Sequence, residues 1–290
     1  MRKEARNMGH LTCVPGSKEI VASQVARFRE KIYQHYADHG RVMPWRSSQD
    51  PYHIVVSEIM LQQTQVERVV PKYEQFITTF PHFFSLAQAP LRDILSVWQG
   101  LGYNRRALAL QKISQQVASD YGGKLPESVE TLQTFPGVGP ATAGAICAFA
   151  FNQPTVFIET NIRRVFIHSF LPGRNKIKDK EILPLVEKTL DTSQPRIWYF
   201  ALMDYGAALK KMSANPNRRS ARHSRQPPFE GSNRQIRGLI LRFLLENSEA
   251  TEKELMRAVG RSPDLVKQII RQLLTEGFIR KTGKRFTISS

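Results

Sequence analysis

Cysteine is nearly absent from this chain: Cys13 and Cys147 are the only two in 290 residues. Two thiols give no disulfide framework and are too few for a metal cluster. Acidic residues are scarce as well, 25 Asp and Glu against 42 Lys and Arg, leaving a formal net charge of +17. So basic a chain implies a polyanionic partner, nucleic acid first and an anionic membrane surface second. No apolar run approaches the roughly 18 residues that a bilayer span needs. The charged start Met1-Arg-Lys-Glu-Ala-Arg6 has no apolar stretch behind it, which argues against a secretory signal. A cytoplasmic, nucleoid-associated protein is expected. Period-two alternation is missing before about the last fifteen residues, so the expected fold class is all-α.

The stretch that organises the rest is Leu132-Gln-Thr-Phe-Pro-Gly-Val-Gly-Pro-Ala-Thr-Ala-Gly-Ala-Ile146. It reads as a helix end, a tight turn through Gly137 and Gly139, and a new helix from about Pro140. Proline suits a first helical position, and glycine admits backbone geometry closed to other residues. Free N–H groups at a helix N-terminus, with little side chain in the way, make a ready anion site. In this chain the favoured anion is a DNA phosphate. An ordinary helix–turn–helix corner fits the same spacing.

Helical spacing of Ile20, Val21, Val25, Phe28 and Ile32 predicts a first helix from Lys18 to His39. After a polar loop, Met43–Pro51, come helices over about 51–61 and 66–79, and a short helix pair from Pro81 to Trp98. The next helix carries Arg105, Arg106 and Lys112. Beyond the hairpin, helices fit about 143–151, 162–171, 179–190 and 195–211. From Lys210 to Arg242 nine Lys or Arg stand against one Glu, with Pro216, Pro227 and Pro228 among them. That composition reads as a basic linker hugging a nucleic-acid backbone. Helical segments over 233–247, 251–259 and 262–276, and a basic hairpin turning at Gly283, make a winged-helix pattern. Its third helix would present Lys267 and Arg271; a wing used for protein contacts or for packing fits as well. The expected organisation is a flexible leader (1–17), a main helical domain (18–209), the basic linker (210–232) and the winged helix (233–290).

Two carboxylates stand out. Glu58 lies in the apolar segment Ile54-Val-Val-Ser-Glu-Ile-Met-Leu61, where apolar neighbours should raise its pKa and let it donate a proton near neutrality. A buried Glu paired with an arginine such as Arg46 is the structural alternative. Glu159 ends the apolar run Thr155-Val-Phe-Ile158 and precedes Asn161, Arg163 and Arg164. It could face a cleft or cap the helix that follows. Two carboxylates flanking a phosphate-binding hairpin match the logic of glycosidic bond cleavage. Gln62, Gln63, Gln65 and Tyr103 are flat side chains of the kind that fill a gap in a base stack.

Taken together, these residues resemble a known family. Roughly residues 40–240 are similar to the helix–hairpin–helix DNA glycosylases, and among them to adenine glycosylases of the MutY type. The carriers are Pro44-Trp-Arg46, Ser57-Glu-Ile-Met-Leu-Gln-Gln-Thr-Gln65, Gly100-Leu-Gly-Tyr103, Phe135-Pro-Gly-Val-Gly139, Thr142-Ala-Gly144 and Ala201-Leu-Met-Asp-Tyr-Gly206. Phe229-Glu-Gly-Ser-Asn-Arg234 resembles the family's linker. The resemblance implies two helical subdomains with a cleft between them. It also implies a monomeric, monofunctional glycosylase of base excision repair, acting on double-stranded DNA with a mismatched or damaged base. By the resemblance, Glu58 would protonate the departing base. Glu159 would stabilise the oxocarbenium ion and position water, with Asn161 in the same site. Trp45, Arg46 and Leu61 would line the base pocket, and Gln63 and Tyr103 would wedge beside the orphaned base. Gly137 and Gly139, with Thr142, would hold a phosphate. No metal or other cofactor is expected, apart from a monovalent cation that relatives often hold beneath the hairpin.

Four departures from the family pattern matter. Relatives carry a four-cysteine iron–sulfur loop after the block ending at Gly206; here Ala207–Arg219 has no cysteine. Clusterless members are thus the nearer comparison, with Arg218 and Arg219 expected to hold this loop on DNA phosphates. Ala141 stands where lyases of the endonuclease III type place a Schiff-base lysine, so no β-lyase step is expected. Glu159 replaces the usual Asp, and the extra methylene displaces the carboxylate. Phe200, expected in the base pocket, replaces a Gln or Glu that reads the base edge, and Phe offers no hydrogen bond. Adenine opposite 8-oxoguanine or guanine is the preferred substrate, with thymine or uracil opposite guanine as the alternative. A catalytically weak mismatch-binding protein is a rival motivated by Glu159 and Ala141, although Glu58 is retained. A winged-helix regulator would explain only residues 233–290.

Overall fold

The computed structural model describes residues 20–212, 214–224 and 227–289; the expected leader over 1–17, Cys13 and Lys18 lie outside them. Helices follow one another in chain order: α1 (Ala22–His39), α2 (Pro51–Leu61), α3 (Val66–Thr79), α4 (Phe83–Gln88), α5 (Leu91–Trp98), α6 (Arg105–Asp120), α7 (Val129–Leu132), α8 (Pro140–Phe151), α9 (Thr160–Phe170), α10 (Asp179–Thr189) and α11 (Pro195–Met212). Then come α12 (Asn233–Asn247), β1 (Glu249–Thr251), α13 (Glu252–Val259), α14 (Pro263–Thr275), β2 (Ile279–Thr282) and β3 (Arg285–Ile288). The fold is all-α with a C-terminal winged helix. Among the described residues, the run Thr155–Ile158 pairs with no strand.

The chain divides into two compact units. The first takes residues up to Ile54, Glu127–Thr134 and Val138–Arg225; the second takes Val55–Pro126, Phe135–Gly137 and the chain from Gln226 onward. In the first unit α1, α9 and α11 meet at Phe28. Its ring packs edge-on against Phe166, Phe170 and Trp198, with centroids 5.6, 4.8 and 5.8 Å away. Phe28, Phe166 and Trp198 are fully buried, each worth roughly 1.5–3 kcal/mol of apolar burial.

In the second unit Phe76 of α3 packs edge-on against Trp98 of α5, 5.9 Å between centroids. The Trp98 indole N–H donates to the Gly102 carbonyl at 3.1 Å, which fixes the turn before α6. The winged helix belongs to this unit. Ser232 caps α12 by accepting from the Gln235 amide. Thr251 and Glu254 form a capping box at α13, and Gly260 ends that helix in the left-handed region. The sheet is antiparallel with order β1-β3-β2, and Phe286 pairs with both Ala250 and Lys281. β1, three residues with one buried side chain, is too short to leave a period-two pattern in the sequence.

Arginines fasten the winged helix within its unit. Arg92 on α5 donates to the Leu244 carbonyl at 3.2 Å and also to that of Leu245, at the end of α12. Glu276 accepts from Arg105 of α6 and from Arg237 of α12, at 2.6 Å in each ion pair.

Candidate active site

Glu58 sits on α2 between Ser57 and Ile59, which are 1% and 0% exposed, and is itself half-buried. Leu61 closes the helix, also half-buried. What holds the end of α2 is Arg106, buried on α6 at 8% exposure. Its guanidinium donates to the carbonyls of Ile59, Met60 and Gln62 at 3.1, 2.7 and 2.6 Å. It also reaches the Thr64 hydroxyl and the carbonyls of Leu101 and Gly102 at 3.0, 3.3 and 3.1 Å. Helix C-terminal carbonyls have no partner within the helix, so a buried guanidinium fork satisfies them. Burial pushes the pKa of Arg106 down to about 10, with Tyr103 as a weaker opposing influence, and the group stays charged at neutral pH. Arg106 thereby joins the Gln62–Gln65 loop to the Gly100–Tyr103 turn. Both Gln63 (φ 55°) and Tyr103 (φ 48°) are held in the left-handed region, a conformation that costs non-glycine residues about 1–3 kcal/mol.

The hairpin is built as the sequence predicts, with one correction. Gly137 has φ 78° and needs to be glycine. Gly139 does not: at φ −91°, ψ 177° it is extended backbone that any residue adopts, and a Cβ added there would meet nothing within 4 Å. What Gly139 provides is open space before the first turn of α8. Thr142 lies in that first turn, half-buried, next to Ala141. The Gln62 side-chain amide donates to the Gly137 carbonyl at 3.1 Å. A monovalent cation at that carbonyl would have to displace this donor, so no step is assigned to one.

Glu159, in the first unit, is the N-cap of α9. Its Oε1 accepts from the amides of Asn161 and Ile162 at 2.6 and 2.7 Å, and its Oε2 from the Asn161 side chain at 3.2 Å. Burial raises its pKa, against the pull of those two amides and of Arg164 and Arg163. Asn161 is fixed in turn: its Oδ1 accepts from Arg164 at 2.7 Å. Arg164, 3% exposed, also donates to the Gly206 carbonyl at 2.5 Å and to Asn215 Oδ1 at 3.0 Å. Gly206 lets α9 and α11 approach, because a Cβ there would come within 2.5 Å of the Asn161 carbonyl oxygen.

Trp45 and Arg46 lie in a 3-10 turn, Pro44–Arg46, and Trp45 is buried. The ion pair of Arg46 is with Asp204 of α11, two hydrogen bonds at 2.8 and 2.7 Å. Arg41 joins the same carboxylate at 2.7 Å. Burial pushes the Asp204 carboxyl up, but the Arg46 hydrogen bonds, the Arg41 amide and the two guanidinium charges hold it below the usual range. The Arg46 guanidinium carbon also lies 4.6 Å from the Phe200 ring centroid. Phe200 is 4% exposed and stacks on Phe149, 4.7 Å apart and 11° from parallel. The neighbouring Tyr199 donates its hydroxyl to the Thr155 carbonyl at 2.6 Å.

The expectation that Arg219 contacts a DNA phosphate needs correction. The segment Pro216–Arg219 is a 3-10 turn folded onto its own unit, with Ser220 bridging to Ile177. Asn217 donates to the Thr160 carbonyl at 2.8 Å. Arg219 donates to the carbonyls of Leu171 and Ile167 at 2.6 and 3.0 Å, which spends its guanidinium on the end of α9. Arg218 is exposed. Sequence reasoning missed Arg106, Arg164, Asn215 and Asn217. Arg106 did carry a signal: it shares the stripe 106, 110, 113, 117 with Leu110, Ile113 and Val117, and a charge at a core position of a helix needs a buried partner.

Residues 56–190 match the family model of the HhH-GPD superfamily base excision DNA repair proteins, and 234–280 match that of a winged helix-turn-helix DNA-binding module. The adenine DNA glycosylase of Mycolicibacterium smegmatis is 30% identical over 275 residues, covering 87% of this chain and 93% of that protein. The chain belongs to the HhH-GPD superfamily. Within it the likeness is to the adenine glycosylases of the MutY type. That of Buchnera aphidicola (subsp. Baizongia pistaciae) is 37% identical over 195 residues, or 65% of this chain, which spans about half (54%) of that relative's length. Among solved structures, a thermostable thymine-DNA glycosylase matches with a TM-score of 0.57 and 26% identity, over 64% of this chain and 87% of that one.

Proposed function

We propose that this chain is a monofunctional DNA glycosylase that flips adenine out of a mismatch with 8-oxoguanine or guanine and hydrolyses its N-glycosidic bond. The observation that carries this reading is Glu58 in the run Ser57–Gln65, clamped by Arg106, in a chain alignable with 93% of an adenine glycosylase. The substrate is double-stranded DNA in the nucleoid, and the enzyme acts as a monomer. Glu58 gives its proton to a ring nitrogen of the flipped adenine, so that the base leaves as a neutral molecule. The bond between sugar carbon and base nitrogen breaks with its electron pair going to the base, leaving an oxocarbenium-like sugar. Glu159 shields that cation, and water adds to the sugar carbon and loses a proton to a carboxylate. Trp45 and Leu61 border the flipped base. Arg46 acts through Asp204 and Phe200 as a positioning residue. Ala141 has no amine, so the strand is left uncut.

No iron–sulfur cluster takes part; Asn215, Asn217 and Arg219 brace α9 from the loop that holds the cluster in relatives. Single-turnover excision tests the reading: a Glu58→Gln protein should bind mismatched DNA and release no base. Normal excision by that variant would overturn the assignment. A second reading, thymine or uracil opposite guanine, is favoured by Phe200, which offers a base edge no hydrogen bond. Release of T or U but not A from a panel of duplexes would select it.

A further inference from the structure

The winged helix ends in a strand pair for which the excision chemistry has no use. β2 and β3 are joined by a two-residue turn, Gly283 and Lys284, between the paired residues Thr282 and Arg285. Gly283, at φ 60°, takes the first turn position, where a tight hairpin favours glycine. From Gly277 to Ser290 the chain has four cations, Arg280, Lys281, Lys284 and Arg285, and no carboxylate. The match to the helix-turn-helix module stops at Arg280, so the turn and β3 lie beyond it.

Ile279, Phe286 and Ile288 are buried and seat the hairpin, whereas residues 280–285 are all exposed. Arg280 donates to the hydroxyl of its cross-strand partner Thr287 at 3.1 Å, which steadies its side chain along the strands. The Lys281 ammonium lies 5.7 Å from the Phe286 ring centroid, and Lys284 stands on the turn itself. Arg285 is paired with Glu249 of β1 at 3.1 Å. Among the described residues, the other three are in no ion pair.

α14 is the poorer element for a polyanion. A recognition helix meets base edges with its N-terminal residues, while the helix before it crosses the backbone. Here the first turn of α14 carries Asp264, and that of α13 carries Glu252 and Glu254 around a single Lys253. Arg261, in the turn between them, is paired with Glu230 at 3.0 Å. The far end of α14 is committed too, because Glu276 accepts from Arg105 and Arg237 there. Carboxylates facing phosphates repel them, and only Lys267 and Arg271 on α14 are cationic.

We propose that the hairpin, and not α14, is the edge by which the winged helix grips duplex DNA. Arg280, Lys281 and Lys284 contact phosphates, which carry no sequence information, so the grip is the same on mismatched and undamaged duplex. The winged helix thereby holds the enzyme on DNA during its search and takes no part in excision. The identity of the polyanion rests on the glycosylase reading above.

The test is a salt titration of affinity for two duplexes, one undamaged and one with a non-hydrolysable 2′-fluoro-adenosine opposite guanine. In the full chain carrying Arg280→Gln, Lys281→Gln and Lys284→Gln together, the slope of log K against log salt should shrink by about 2–3 on both. Lys284→Gln alone should shrink it by about 1. Lys267→Gln with Arg271→Gln should keep the wild-type slope. An unchanged slope in the triple variant overturns the grip; the charges of β2, an edge strand, would then serve to deter pairing with other chains. A slope that shrinks as much in the α14 pair as in the triple variant also overturns it, as does a loss confined to the mismatched duplex. Single-turnover adenine release at saturating enzyme should be equal in wild type and triple variant, and slower release by the bound variant overturns the search role. No release by either protein, with the slope shift intact, overturns the glycosylase reading alone.

Discussion

The Arg106 guanidinium donates to the Gln62 carbonyl at 2.6 Å, one of six acceptors that it serves at the end of α2 and the start of α6. One buried cation thus fixes both the helix that carries Glu58 and the two turns that carry Gln63 and Tyr103. Replacing Arg106 with Met keeps the apolar stem and strands those carbonyls. Each orphaned buried carbonyl costs about 1–3 kcal/mol, and neighbouring ones share the loss, so Arg106→Met should lower the unfolding free energy by about 3 kcal/mol or more. Urea titration measures it. A loss within experimental scatter would show that the carbonyls find other donors.

Most of the helices were legible, because apolar stripes and caps mark them locally. The winged helix was readable down to its turn at Gly283, whose φ of 60° favours glycine. The motif around Glu58 was readable too. What sequence could not supply were partnerships between distant residues: Arg106 with α2, Arg46 with Asp204, Arg164 with Asn215 across 51 positions. The stripe marks Arg106 as buried but does not say which carbonyls it serves. Arg219 misled for the same reason, since charge density says nothing of where it spends its donors.

Glu159 both caps α9 and is proposed to shield the sugar cation, and the two roles separate by substitution. In Glu159→Gln the side-chain oxygen can still accept from the Asn161 and Ile162 amides, so stability should stay within about 1 kcal/mol of wild type. The charge is gone, and single-turnover adenine release should fall by about 100-fold or more. Glu159→Ala should lose the rate and also about 1–2 kcal/mol of stability as the cap disappears. A Gln variant that excises at the wild-type rate would leave Glu159 as a cap only.

Acid should loosen the winged helix through Glu276. Hydrogen bonds from Arg105, partly offset by desolvation and reinforced by Arg237, hold its pKa at about 2, against 4.5 for an ordinary glutamate. A carboxylate whose folded pKa is depressed contributes stability above its unfolded pKa and loses it as pH falls through the folded value. The contribution should therefore be full above about pH 4.5 and drain away toward pH 2. Thermal melts across that window should fall more steeply for the wild type than for Glu276→Gln. Parallel profiles would show that the pair is solvated away.

Arg218 and Arg219 are adjacent in sequence and opposite in use, which gives a paired experiment. Arg219 caps the end of α9 through the Leu171 and Ile167 carbonyls, so Arg219→Ala should cost about 1–3 kcal/mol of stability. It should leave the salt dependence of DNA affinity unchanged, because no phosphate contact is lost. Arg218 is exposed, so Arg218→Ala should leave the melting temperature alone. It should also reduce the slope of log K against log salt by about 1. A changed slope in Arg219→Ala at wild-type stability would return this arginine to the DNA and undo the correction drawn from its hydrogen bonds.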